Sequence, residues 1–203
     1  MILMNLSNGK IQDNILSTIQ ISSQENILLT NIEKFYKNNR NQAKDVINII
    51  RGQSTISMRL IDFFVTNYSK KYRINYKVKL NNTEEIFNVY SSYKSQLKAY
   101  NKKYFDPFSR GNRIPFFFND DCIITTIGQL NFFKWFFKYK VNTYIIKYMT
   151  KIEEDLIETK NYLKNKVKIK KLKNKNKSID KTPNIFTIPK LPKKINKIQL
   201  TFD

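Results

Sequence analysis

Apolar positions recur with a helical period over the first seventy residues and then switch to alternation. Ser22-Ser23-Gln24-Glu25 and Thr30-Asn31-Ile32-Glu33 both place a hydroxyl three residues ahead of a glutamate, and Leu28, Ile32, Phe35 and Tyr36 follow on one helical face. The spacing predicts a second helix from Ala43 to Ile50 with Val46, Ile47 and Ile50 inward, stopped by Gly52. A third, capped by Ser54 or Thr55, groups Ile61, Phe64, Val65 and Tyr68, while Arg59 and Asp62 point elsewhere. The period then drops to two. Ile74, Tyr76, Val78 and Leu80 alternate with Asn75, Lys77 and Lys79, which predicts a strand with one buried face; Asn81-Asn82 suits a turn, and the run EIFNVY pairs back.

A helix from about Ser92 to Tyr104 ends before Asp106-Pro107, because a residue preceding proline is pushed out of the helical region. Short strands near 114–118 and 122–125 flank an Asn-Asp-Asp turn. Thr126 and Gln129 then frame a helix through Phe132, Phe133, Trp135, Phe136, Phe137 and Tyr139. That helix is apolar on nearly every side and belongs at the centre of the fold. A last helix begins near Thr143, with Ile145, Tyr148, Met149, Ile152 and Leu156 on one face and Glu153, Glu154, Asp155 and Glu158 as an acidic cluster. The expected class is α+β: a helix-rich single domain over residues 1–159 with a small antiparallel sheet. A basic C-terminal tail, expected to be disordered, follows as a lysine-rich tract (160–181) and a proline-bearing extended segment (182–203).

Composition narrows the chemistry. The 203 residues carry 37 Lys+Arg against 16 Asp+Glu, a formal charge of +21, with no histidine and one cysteine. Disulfide scaffolds, Cys/His zinc sites and histidine-based triads are excluded. Lysine outnumbers arginine 31 to 6, as A/T-rich codon usage favours, so part of the lysine count reflects coding bias. The scarcity of acids is not explained that way. Residues 160–203 hold 14 lysines against Asp180 and Asp203, a net +12 that leaves +9 for the rest. Such a tract repels itself and resists core packing. The segment 182–203 combines Pro183, Pro189 and Pro192 with spaced apolar residues, a pattern suited to an extended peptide docking on other proteins. No apolar run reaches the roughly 18 residues a membrane span needs, and MILMNLSNGK lacks the basic start of a signal peptide. The chain reads as intracellular, without a membrane span.

Candidate acids for metal-dependent cleavage are Asp62, Asp106, Asp120-Asp121 and Glu158 beside Lys160, but turn chemistry explains Asp106 and Asp120-Asp121. The glycines form no phosphate-cradling loop, and Cys122 is expected to be a small buried hydrophobe. No catalytic residue, metal or cofactor emerges. The basic segment from Lys94 to Arg113 is more informative: Lys94, Lys98, Lys102, Lys103, Arg110 and Arg113 are interleaved with Tyr100, Tyr104, Phe105 and Phe108, rings expected mainly in the core. Lys70, Lys71 and Arg73 extend the patch, and Lys164, Lys166, Lys168, Lys170, Lys171 and Lys173 add the tract. Lysines neutralise phosphates and arginines grip them bidentately.

Three stretches, GQSTISMRLIDFFVTNYSKKY (52–72), FNVYSSYKSQLKAYNKKYFDPFSR (87–110) and ITTIGQLNFFKWFF (124–137), resemble the signature blocks of a poorly characterised protein family of giant nucleocytoplasmic large DNA viruses. The resemblance implies a viral protein of an infected cell or virion and brings no catalytic residue with it. The expected function is largely sequence-independent binding of nucleic acid, DNA before RNA, in genome condensation, packaging or late gene expression, without enzymatic activity. The alternative is a virion structural or adaptor protein that docks through residues 182–203.

Overall fold

The first helix starts at the earlier of the two capping sites. In α1 (Ser23–Asn38), the Glu25 N–H donates to Ser22 Oγ at 3.3 Å and the Ser22 N–H donates to the Glu25 carboxylate at 3.0 Å, so both arms of the capping box close. A computed structural model describes residues 21–177 except 81, 82, 109 and 120, with side-chain surroundings as far as Val167. Helix α2 (Arg40–Arg51) ends on Gly52 at φ +73°, where a Cβ would be strained. The third helix is capped by Ser57 and not by Ser54 or Thr55: Ser57 Oγ accepts the Leu60 N–H, whereas Ser54 Oγ accepts the Ile56 N–H inside the preceding turn. This helix, α3 (Met58–Phe63), passes through a π-helical turn (Phe64–Tyr68) into α4 (Ser69–Lys71). Phe64, Val65 and Tyr68 stay buried across the change of pitch.

The single small sheet expected from the alternation is two separate antiparallel pairs. Strand β1 (Asn75–Leu80) pairs with β2 (Thr83–Asn88), Val78 opposite Glu85; β3 (Arg113–Phe118) pairs with β4 (Asp121–Thr126), Phe116 opposite Ile123. Two expectations fail here. Val89 and Tyr90 do not extend the second strand but open α5 (Val89–Tyr104), because Asn88 Oδ1 accepts the Ser91 N–H at 2.9 Å and caps it. Cys122 is exposed, not buried, because Ile123 and Thr125 take the inward positions of β4 and alternation turns Cys122 and Ile124 outward.

Helix α6 (Ile127–Lys138) lies at the centre, with every residue buried except Lys134 and Lys138. Its rings meet others from all sides: Phe132 packs near Tyr93 and Phe105, and Trp135 near Phe87. Most polar groups carried inward are met, as burial requires, although Gln42 Oε1, Asn142 Oδ1 and Asp155 Oδ2 have no partner among the described residues. Tyr36 Oη donates to the Leu130 carbonyl at 3.0 Å, and Trp135 Nε1 donates to Ser92 Oγ at 3.0 Å. The helix expected from Thr143 is instead two, α7 (Val141–Lys147) and α8 (Met149–Lys177). Tyr148 leaves helical geometry (φ −118°, ψ 21°), and Ile145 before the break and Ile152 after it both reach the core.

The chain divides into two units, Met1–Glu158 and Thr159–Asp203. Helix α8 continues to Lys177, so the first part of the tract expected to be disordered is helical; between Lys160 and Lys177 no proline or glycine interrupts a run dominated by lysine with leucine. Every side chain from Lys160 to Val167 is exposed, consistent with a tract too polar to join a core. The proline-bearing segment 182–203 lies outside the described residues. Among the described residues no helix is long and apolar enough to cross a membrane.

Candidate nucleic-acid interface

The basic segment is built around a sharp break in α5. Asn101 adopts φ 50°, ψ −177°, a region that few residues other than glycine occupy, and its Oδ1 accepts the Lys103 N–H at 2.8 Å. The chain then crosses the start of α6 and is pinned there. The Asp106 N–H donates to the Gly128 carbonyl (3.2 Å), Gln129 Nε2 to the Pro107 carbonyl (2.7 Å) and Asn131 Nδ2 to the Tyr104 carbonyl (2.9 Å). Phe105 is fully buried beneath this crossing, while Tyr100, Tyr104 and Phe108 are half-buried. The preference for rings in the core holds most fully for Phe105.

Three of the cations expected to meet phosphate are already engaged by buried carboxylates. Lys71 pairs with Asp155, Lys103 with Glu25 at 3.1 Å, and Arg110 with Asp106 at 2.7 Å. Glu25, Asp106 and Asp155 are all buried, and a carboxylate withdrawn from water is tolerated only when paired and hydrogen-bonded. Each cation lies at the surface above its acid. The Ser22 N–H, and then Lys103, hold the Glu25 carboxyl below the usual range against the opposing effect of burial. Hydrogen bonds to Asp155 and Tyr72 push the Lys71 ammonium up, and the bond to Asp106 does the same for Arg110. Lys71, Lys103 and Arg110 thus each hold an ion pair within the fold. Asp106 is likewise more than a turn residue.

The open cations lie mainly along α5. Lys94 and Lys98 stand one helical turn apart, exposed and without an ion pair among the described residues, beside a shallow depression of about 420 Å³ that Ser95 and Leu97 complete. One turn earlier, Tyr90 carries the Lys70 ammonium over its ring at 5.7 Å, so Lys70 continues the same row from α4. The rise of the helix spaces the row at about 6 Å per step. Arg73, Lys102 and Arg113 are exposed too, as are Lys164 and Lys166 on α8. Lys168, Lys170, Lys171 and Lys173 belong to the same helix, past the last described side chain.

Of the candidate acids, Asp62 and Asp106 lie within electrostatic reach of each other. Burial pushes the half-buried Asp62 carboxyl up, with Arg110 pulling it down and Asp106 opposing that pull. Burial also pushes the Tyr93 phenol up to about 12. Asp121 is held by Arg51 at 2.7 Å, Asp120 lies outside the described residues, and Glu158 is exposed on α8. Among the described residues, no group of three Cys, Asp or Glu side chains could hold a metal ion. The Arg51–Asp121 pair had no sequence signal, because its partners are 70 residues apart.

Comparison with known proteins gives two matches. A family described as Family of unknown function (DUF7197) matches residues 9–199. An uncharacterized protein of Acanthamoeba polyphaga mimivirus is 38% identical over 138 residues, covering 65% of this chain and 53% of the relative. The chain thus spans about half the length of the curated relative it matches. No solved structure matches.

Proposed function

Since this chain belongs to the DUF7197 family and is similar to an uncharacterized mimivirus protein, we propose that it is a non-enzymatic nucleic-acid-binding protein of a large DNA virus. Binding is largely independent of sequence, with DNA the expected partner, in genome condensation, packaging or late gene expression. The observation that supports this reading is the row Lys70–Tyr90–Lys94–Lys98. Among the described residues, Lys94 and Lys98 meet no acid, on a helix side that presents cations at regular steps. A protein whose surface lysines served only to offset its own acids would pair them, as Lys71 and Lys103 are paired. The lysine tract from residue 160 adds a second source of positive charge, enough to raise the local concentration of any polyanion.

Fluorescence anisotropy with labelled duplex and single-stranded DNA at several salt concentrations tests the proposal. Affinity should fall steeply with salt, and Lys94→Ala with Lys98→Ala should lower the slope on duplex DNA by up to about 1.8, at roughly 0.9 for each phosphate no longer neutralised. Weak binding with no salt dependence would sink the proposal.

A further inference from the structure

Arg110 is engaged by Asp106 but not used up. Its Nε donates to Asp106 Oδ2 at 2.7 Å and its Nη2 donates to Asp106 Oδ1 at 2.8 Å, so the carboxylate occupies the side-on edge of the guanidinium. A guanidinium carries five N–H donors in a rigid plane. Among the described residues, both hydrogens of Nη1 and the second hydrogen of Nη2 are left without a partner, and together Nη1 and Nη2 form another two-donor fork at the far end. The Arg110 side chain is 64% exposed. Arg51 provides the contrast: its Nη1 donates to Asp121 and its Nη2 to the Cys122 carbonyl, which occupies that same end.

The open fork is also held still. Asp106 is buried, its N–H is tied to the Gly128 carbonyl, and its Oδ1 accepts the Phe108 N–H at 3.4 Å. The Phe108 ring lies 5.4 Å from the Arg110 guanidinium carbon. An arginine fixed in this way loses its rotamer freedom on folding and not on binding, which favours a ligand that matches the fork. A phosphate presents two oxygens at the spacing of two parallel N–H donors.

Net charge alone gives the opposite ranking. Asp106 cancels one charge, and Asp62, within electrostatic reach of Arg110, is offset by Lys102. By charge counting Arg110 is a poor partner for a polyanion; by geometry it is the best prepared one.

We propose that the Nη1/Nη2 edge of Arg110 is a preorganised grip for one phosphodiester of a nucleic-acid strand, with Asp106 as its positioning residue. The proposal rests on the nucleic-acid reading above. It is tested on the full chain by anisotropy with a labelled single-stranded oligonucleotide, comparing wild type, Asp106→Asn and Arg110→Lys. Asp106→Asn adds a net positive charge yet should weaken binding about fivefold because it frees the fork from its fixed orientation, and Arg110→Lys should do the same at constant charge because it gives up a charge-assisted hydrogen bond to phosphate. If Asp106→Asn binds more tightly and Arg110→Lys binds as wild type does, charge alone governs and the grip is overturned. Circular dichroism and melting temperature accompany each variant; should Asp106→Asn not fold, Arg110→Lys, which keeps a cation beside the buried acid, decides alone. Inorganic phosphate is titrated at constant ionic strength as a competitor. Displacement from wild type at lower phosphate than from Arg110→Lys supports the grip, since the competitor then meets the strand at this fork; equal effects overturn it. A wild-type chain with no salt-dependent binding overturns the nucleic-acid reading itself, whereas binding wild type with unaffected variants overturns the grip alone.

Discussion

Replacing Gly128 by alanine tests how the loop that carries Arg110 is seated. A Cβ at this position would lie 2.7 Å from the Lys103 carbonyl oxygen and 3.3 Å from both the Phe105 nitrogen and the Tyr104 carbonyl carbon. Carbon and oxygen rarely approach closer than about 3.3 Å, so the loop must retreat by roughly 0.6 Å. The obstructing atoms are backbone, and they are tied to α6 by the Asp106–Gly128, Gln129–Pro107 and Asn131–Tyr104 hydrogen bonds. They cannot swing aside as the end of a side chain could. Alanine would recover at most about 1 kcal/mol of helix propensity. Against this stand about 1–3 kcal/mol for overpacking and about 1 kcal/mol for each hydrogen bond weakened. We expect a net loss of about 2–3 kcal/mol, or very roughly 4–10 °C in melting temperature for a chain of this size. Urea unfolding followed by the fluorescence of buried Trp135 measures it. Gly111→Ala is the control, because its nearest neighbour would be 3.7 Å away. If Gly128→Ala unfolds at the same urea concentration as wild type and the control, the close approach imposes no cost and the account of the loop is wrong.

The other expectations concern pH and the tail. Burial pushes the phenols of Tyr36 and Tyr93 up, that of Tyr93 to about 12, while unfolded tyrosines ionise near 10.0; stability should be fully present below pH 10 and fall as pH rises above it, with tyrosinate absorbance appearing together with unfolding. Independent ionisation of Tyr93 in the folded protein near pH 10 would refute this. The Glu25 carboxyl is held below its ordinary 4.5, so its contribution is present above that value and lost as pH falls through the lower, folded value; Glu25→Gln should flatten the melting temperature as pH falls below 4.5, and an unchanged profile would remove Glu25 from the argument. Deleting residues 160–203 removes a net +12 of the +21 and should leave cooperative melting intact while cutting both nucleic-acid affinity and its salt slope; a truncated chain that fails to fold would place part of the core beyond residue 159.

Much of the fold was legible because the local signals were redundant. Ser22 with Glu25, Gly52 after α2 and Thr126 ahead of α6 each combine a terminal signal with an apolar period, and all three end where expected. The errors fall where a local choice depended on one atom. Ser57 competes with Ser54 and Thr55 for one cap, and the outcome follows from which oxygen faces the Leu60 N–H. Val89 fits a strand or a helix equally well until Asn88 caps the helix. The outward turn of Cys122 follows from a register that places Phe117 opposite it, a pairing set by tertiary contacts and not by its neighbours in sequence.

The candidate site was legible only in outline, for a reason that lies in long-range pairing. Composition gives a sum of charges, but a polyanion meets cations one at a time, and each cation matters according to what it already holds. Lys71 and Lys103 look no different in sequence from Lys94 and Lys98. They differ because Asp155, 84 residues from Lys71, and Glu25, 78 residues from Lys103, are buried and need a counter-charge. Only the local Asp106–Arg110 spacing could have been read in advance, since four residues across a proline turn put an acid beside an arginine. The same burial of acids that pairs these two lysines gives Arg110 its fixed orientation. A buried carboxylate under a surface cation can therefore either quench that cation or aim it. The ligand's chemistry decides which: a lysine ammonium held by its acid presents a weakened point charge, whereas a guanidinium held along one edge still offers a fork along another.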